Sequence, residues 1–504
     1  MKLRLPIALF CALLLAANGH AEELTILHTS EHHGTLQPIE DGPYQGLGGV
    51  ARRAALIEKI RKEVKNVLLV DSGDLVVGTA MSSVFRGAPD IAAMSLMGYD
   101  AQTLGNHDFD FGLKHLRELK AQARFPFLCT NLKPKQAGIC EPFAIKTVGG
   151  LRVGVIGLLG GKTFPDFFEV GVVKELEASE PVAAARAAVA ALKARVDLIV
   201  AVTHEETEED LALAHAVEGI DVIVGGHTPG FDGFIARGQK NPIHGRAAPA
   251  PGPIFVKSHQ QARTLGRLDL TIDHGIRAAE AVNISIDAAL PEDPKVAALV
   301  ADYVRRLESE TNRVVGRTLV DLNGELQVVR ARETNFGDLL ADLARKQTGA
   351  DVAFVNGGAI RGTIPAGAVT LKQVMRMLPY NDPIVTVKLT GAELRRALEN
   401  SVSRIPAAGR FLQVAGITFR FDPAAPAGAR VKDVRVGGAP LRPEREYSVA
   451  VNSFIAQGGD GFSMFPQARE RIEHQTMLRD LFTKALESGP VDARTDGRIQ
   501  EEKR

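Results

Sequence analysis

The sequence predicts an α/β protein of two domains. Short apolar runs alternate with helical stretches through the first half, the pattern of buried strands flanked by helices. Five of those runs end in His, Asp, Asn or Glu, and such sheets carry their chemistry at the carboxyl ends of their strands. At 504 residues the chain is too long for one ordinary core. Apolar content of 45% and charged content of 24% are those of a soluble globular protein. Lys+Arg and Asp+Glu are both 60, and this balance argues against a nucleic-acid polymer as partner, which needs a strong basic field.

The N-terminus reads as a secretory signal over residues 1–21. Lys2 and Arg4 form its basic region, and Pro6 to Ala17 is an apolar core too short to span a bilayer comfortably. Gly19-His20-Ala21 offers small residues for cleavage, so the mature chain is expected to start at Glu22 in the periplasm or outside the cell. No later run is long and apolar enough to span. The tail Glu501-Glu502-Lys503-Arg504 lacks the hydrophobic signal of a lipid anchor, so no membrane anchor is expected after cleavage. No protein partner is evident. Cys129 and Cys140 remain after cleavage; in an oxidising compartment they either close a disulfide loop or stay as two thiols.

In chain order, Leu24 to Thr29 reads as a buried strand ending in Ser30-Glu31-His32-His33-Gly34. Gly48 to Val64 reads as an amphipathic helix with Leu56, Ile57, Ile60 and Val64 on one face. Val67 to Val70 ends in Asp71-Ser72-Gly73-Asp74. Ala101 to Leu104 runs into Gly105-Asn106-His107-Asp108-Phe109-Asp110. Leu151 to Leu159 is strand-like; Leu198 to Val202 ends in Thr203-His204-Glu205, and Val222 to Val224 in Gly225-Gly226-His227. The first domain is assigned to residues 22–290. A charged, helix-prone stretch over 291–317 follows, with Val296, Leu299, Val300 and Val304 as its apolar stripe, and reads as a helical linker. The second domain is assigned to 318–495, with a short strand at Ala353-Phe354-Val355.

Carboxylates, imidazoles and an Asn carbonyl without thiolates form a ligand set suited to Zn, Mn, Fe or similar divalent ions. Two such ions about 4 Å apart can hold a hydroxide and clamp a phosphate ester. Asp74 is the natural bridging carboxylate. His107 and Asn106 cannot easily both be ligands from one tight turn. His107 is better placed to face the phosphate as an electrostatic or general-acid group oriented by Asp110. In the second half, Tyr380 and Phe454 read by themselves as core aromatics, and Gly458-Gly459-Asp460-Gly461 as a turn. Gly157 to Thr163 has the look of a P-loop, but Ile156 stands where its first glycine is required.

Nearly the whole mature chain resembles the secreted 5'-nucleotidase family. The carrying motifs are ILHTSEHHG, DSGD, LGNHDFDFG, VTHE and GGHT in the first half. ETNFGD, NGGAIRG, LPYND, GRFLQVAG and FIAQGGDGF carry it in the second. The resemblance implies a four-layer αββα metallophosphoesterase sandwich, joined by the linker helix to an α/β nucleotide-recognition domain. It implies two divalent ions of Zn, Mn, Co or Fe. Asp74, Asn106, His204 and His227 would hold one, and Glu31, His33 and Asp74 the other. His107 with Asp110 would form the catalytic dyad. Tyr380 and Phe454 would sandwich the base of a nucleotide substrate and Asp460 would bind its ribose. Arg330, Asn356, Arg361 and Gly409 would complete that site.

Two departures from the family pattern fall on one metal position. Glu31 stands where the family has Asp, and Pro229, which has no donor atom, where it has a ligating side chain. That ion is expected to be held more weakly, with His259 as a candidate substitute. The expected activity is hydrolysis of nucleotide phosphoesters. The alternatives are a related phosphodiester, UDP-sugar or thiosulfate-ester hydrolase, or a nucleotide-binding protein whose catalysis has decayed.

Overall fold

The computed structural model describes residues 21–40, 43–76, 78–135, 137–164, 170–235, 252–380, 382–406 and 408–502. The signal segment proposed for residues 1–21 therefore lies outside it except at Ala21, as do Asn381 of LPYND and the stretch 236–251.

The first domain is built on two six-stranded sheets. In the first, Glu22–Thr29, Val67–Asp71, Ala101–Thr103 and Phe127–Leu128 run parallel, and Thr264–Ile272 and Ile276–Ser285 close one edge antiparallel. In the second, Leu151–Leu159, Leu198–His204, Val222–Gly225 and Ile254–Lys257 run parallel, with antiparallel edges at Phe143–Val148 and Phe231–Ile235. The two-residue period of a strand sorts its side chains between layers. Leu68 and Val70 face the core between the sheets, with Ile26, Val153, Val155, Val200 and Val202. Leu69 points the other way, into a core with Ile57, Ile91 and Met94 of the covering helices. On the far sheet, Ile156, Leu158, Ile199 and Ile223 meet helices Pro181–Leu192 and Thr207–Ala216. Apolar strands buried on both faces thus give the expected αββα sandwich.

The expected helix near 48–64 spans Val50–Glu63, with Leu56, Ile57 and Ile60 buried. The expected linker helix is shorter than 291–317: it runs Pro294–Thr311, and Val314–Thr318 is a strand paired with Gly367–Thr370 of the second domain. Asp293 caps its start, accepting the Lys295 and Val296 amides, with Pro294 in its first turn. Nor is it a free spacer. Its apolar stripe, from Val296 through Val300 to Leu307, lies on the outer core of the first domain, and Tyr303 meets Phe85 edge-on. Burying that stripe favours docking on the first domain over exposure to water.

The second domain is a five-stranded mixed sheet in the order Leu412–Ala415, Val352–Asn356, Glu446–Asn452, Pro383–Thr390, Arg469–Met477, beside a smaller four-stranded sheet. Helix Asn335–Thr348, capped by Thr334 and ended by Gly349, packs over it. The last strand, Ile499–Glu501, pairs with Ile417–Phe421, so ordered structure continues past residue 495. Met477 joins the first domain's core and the Arg479 guanidinium donates to Ser83 Oγ, which fixes the two domains against each other. Cys129 and Cys140 form a disulfide, with Cα atoms 5.8 Å apart. Among the described residues no helix is long and apolar enough to cross a membrane.

Candidate active site

All five strand ends read from the sequence meet at one edge of the sandwich. The loops after Thr29 and Asp71 are knitted by backbone bonds: Glu31 N–H donates to the Gly73 carbonyl at 2.9 Å and His33 N–H to the Asp74 carbonyl at 3.1 Å. The turn is tight enough to demand glycines. Gly73 has φ 91°, and a Cβ there would lie 2.4 Å from the Gly105 nitrogen. A Cβ on Gly105 would lie 2.2 Å from Asp74 Oδ1. Glu31, His33, Asp74 and His227 all take positive φ without being glycine. Strained backbone of this kind gathers where side chains must be aimed at a site.

Two sets of ligand atoms result. Asp74, His204 and His227 offer one atom each within 4.8 Å of one another, and so do Glu31, His33 and Asp74. Asp74 belongs to both, as a bridging carboxylate must. Asn106 joins the first set, with Oδ1 3.1 Å from His204 Nε2. That same nitrogen is 3.4 Å from Asp74 Oδ2 and 3.1 Å from His227 Nδ1, so four donors surround one point. The other His204 nitrogen, Nδ1, donates to the Ser72 carbonyl at 2.7 Å, which fixes the ring with Nε2 turned toward the other donors. Glu31 spans the extra methylene: Oε2 lies 3.2 Å from His33 Nε2, and Oε1 accepts the His227 amide at 2.6 Å. This donor set, all O and N, fits divalent ions of the Zn or Mn type.

The titratable groups of the site act strongly on one another. Burial opposes ionisation of His204, yet Asp74 and Glu31 outweigh it and push the imidazole up to about 9. His227 is driven down to about 4 by burial and by His204. Burial would raise Asp74, but His204, His107 and His33 hold its carboxyl well below the usual carboxylate range.

His107 stands beside this centre. Its amide donates to Asp74 Oδ1 at 2.9 Å, its Nδ1 is 2.8 Å from Asp110 Oδ2, and its ring meets that of His33 edge-on at 5.5 Å. Burial disfavours the charged ring, but Asp110 and Asp74 reverse that and raise it well above the ordinary value. A cavity of about 350 Å³ joins Glu31, His33, Asp74, Asn106, His107 and His227 to Asp382, Ser453 and Glu473 of the second domain.

The second-domain residues also converge. Arg330, Asn356, Arg361, Tyr380, Gly409, Phe454 and Asp460 all line one cavity of about 400 Å³. Asn356 and Asn452 end two neighbouring parallel strands and bond to each other at 3.1 Å, and the Asn356 amide donates to Asp460 Oδ2 at 3.1 Å. Tyr380 is 48% and Phe454 42% exposed, which removes the reading of both as core aromatics. The Arg361 guanidinium lies 5.9 Å from the Tyr380 ring centre. Asp382 lines both cavities and so marks where they meet.

Pro229 is exposed and supplies no donor, and His259 does not replace it. His259 belongs to neither ligand set, and its backbone amide donates to Thr264 Oγ1 at 3.0 Å. The neighbouring Gln260 lines the cavity instead. Sequence reasoning also missed the work of Asp108. Its carboxylate accepts the amides of Gly105 at 2.8 Å, Asp74 at 3.1 Å and Leu75 at 3.0 Å, so it clamps the two ligand loops together. Burial and Asp74 push it up to about 7. Glu473, on a strand without a recognisable motif, was missed for lack of any local signal. Asp382 belongs to LPYND, and its place in the cavity was the signal's unread half.

Comparison with known proteins identifies both domains. Residues 24–231 match the calcineurin-like phosphoesterase family and residues 314–467 the 5'-nucleotidase C-terminal domain. The chain is 32% identical over 508 residues to the 5'-nucleotidase of Bos taurus, covering 91% of this chain and 87% of that one. It is 30% identical over 545 residues to the trifunctional nucleotide phosphoesterase protein YfkN of Bacillus subtilis (strain 168), covering 95% of this chain but only 35% of that larger protein. Among solved structures, the 5'-nucleotidase precursor of Thermus thermophilus superposes with a TM-score of 0.59 at 34% identity, covering 95% of this chain and 99% of that one. The shared domains, their order and the end-to-end match make the chain a member of the 5'-nucleotidase family, a hydrolase with a calcineurin-like phosphoesterase domain followed by a 5'-nucleotidase C-terminal domain.

Proposed function

We propose that this chain hydrolyses the phosphate ester of 5'-nucleotides outside the cytoplasm, using two divalent ions. The observation that carries the reading is the sharing of Asp74 between two ligand sets, beside a His107–Asp110 pair and next to the cavity of Tyr380 and Phe454. Asp74, Asn106, His204 and His227 would hold one ion; Glu31, His33 and Asp74 the other. When bound, such ions supply an activated water and neutralise charge on the phosphate.

The residues do the rest. Asp110 holds the His107 ring in one orientation and favours its charged form, so a cation faces the phosphoryl oxygens as negative charge develops. Tyr380 and Phe454 present ring faces to the flat base, Asp460 accepts from ribose hydroxyls, and Arg330 and Arg361 meet the phosphate or ribose. The cavity carries two exposed aromatics and an acid suited to a nucleoside, which favours a nucleotide over a sulfur-ester substrate. The Glu31 carboxylate stays within its ligand set, which supports catalysis over a decayed binding protein. The Cys129–Cys140 disulfide supports an oxidising, extracytoplasmic location.

Phosphate release from 5'-AMP with added Mn, Co or Zn tests the proposal, alongside 2',3'-cyclic AMP, a UDP-sugar and a thiosulfate ester. Turnover of 5'-AMP ahead of the others is expected; tight AMP binding without turnover under any of these metals would overturn it. Phe454→Ala is expected to weaken nucleotide binding by about 1–3 kcal/mol, the worth of one stacked base. The loss should fall on KM with kcat nearly unchanged, as steady-state kinetics will read.

A further inference from the structure

Among the described residues a third cluster of potential metal-binding side chains, this one all carboxylates, lies in the second domain, outside both active-site cavities. Glu333, Asp338 and Asp496 bring one oxygen each within 4.8 Å of one another. Glu333 precedes the cap of helix Asn335–Thr348, Asp338 sits in its first turn, and Asp496 comes from the C-terminal segment that leads into strand Ile499–Glu501. Glu333 already ties these segments by accepting the amides of Asp496 at 3.0 Å, Gly497 at 2.8 Å and Ile499 at 2.9 Å.

The second observation is Asp338 itself. It is 2% exposed, and neither of its carboxylate oxygens has a hydrogen-bond donor. The nearby cation is Arg498, and its hydrogen bonds go elsewhere. It binds Asp342 at 2.9 and 3.1 Å, Asp496 twice at 2.8 Å, and the Val414 carbonyl at 2.9 Å. Its Nε approaches Asp338 Oδ1 only to 3.7 Å, outside hydrogen-bond range. Asp338, Asp342 and Asp496 thus face one guanidinium. A buried carboxylate without donors is costly unless it is neutralised or coordinates a cation.

We propose that Glu333, Asp338 and Asp496 form a structural site for a hard divalent cation that fastens the C-terminal segment to the head of helix Asn335–Thr348. The all-oxygen, all-carboxylate donor set suits Ca2+ or Mg2+ and not a soft metal. Asp496 is exposed and opens the cluster to solvent, which gives an ion its way in.

The test uses the full chain, stripped of metal and titrated with Ca2+ by calorimetry and thermal melting. Parent protein is expected to bind one more Ca2+ per chain than Asp338→Asn, and to show a Ca2+-dependent rise in Tm. Asp338→Asn should lose that ion and that rise while keeping its turnover of 5'-AMP with Mn. Should Asp338→Asn fail to fold, Asp496→Asn decides, with an expected loss of at least tenfold in Ca2+ affinity at this site. Equal Ca2+ stoichiometry and equal melting shifts in parent and variants would overturn the proposal. Asp338 would then be a buried acid that shares a proton with Glu333.

Discussion

His107→Ala is expected to lower kcat on 5'-AMP by roughly 10²- to 10⁴-fold, the span of a lost acid or charge-stabilising group. KM should move little, since the imidazole acts on the transferring phosphoryl group and not on the base or ribose. The fold should survive. The His107 contact to Asp74 is made by the backbone amide, which alanine keeps, and the ring faces the cavity. Asp110→Asn should cost less, because the ring stays in place but loses the neighbour that favours its charged form. Stopped-assay kinetics with a parallel melting curve check all three. A His107→Ala enzyme as active as its parent would rule out the dyad.

Asp74→Asn is expected to do more. Asp74 is the one side chain common to both ligand sets. An asparagine can still accept the His107 amide through Oδ1, so the loop is kept. It cannot bridge two cations with a full negative charge. Bound metal, measured on the purified variant, should fall for both positions together. The loss of activity should exceed the roughly 10- to 100-fold typical of removing a partner that merely orients a ligand. A variant that loses only one ion would mean that Asp74 does not bridge.

Most of this candidate centre was legible because each proposed ligand follows an apolar strand. Strand ends at Thr29, Asp71, Thr103, His204 and Gly225 are set by apolar periodicity, and a parallel sheet must bring their carboxyl ends to one edge. What the sequence concealed is work done by hydrogen bonds across loops. Asp108 is one carboxylate among several in its stretch; only the fold shows that it clamps three amides from two loops. His259 was a reasonable substitute ligand by position along the chain, yet a turn of one residue puts Gln260 in the cavity and His259 outside it. The linker helix ended early because Val314–Thr318 finds a strand partner about fifty residues later, a pairing that no local propensity encodes. Glu473 and Asp382 enter the active cavity only through the docking of one domain on the other.

The most direct test of the two-metal account is the number of ions bound per chain at saturating Mn, measured by metal analysis on desalted protein and by titration calorimetry. Two ions in the active centre are predicted, the second released more readily because Pro229 contributes no donor. Pro229→Asn should tighten that second ion and leave the first unchanged. Binding of no more than one active-centre ion at saturation, with full turnover of 5'-AMP, would contradict the account.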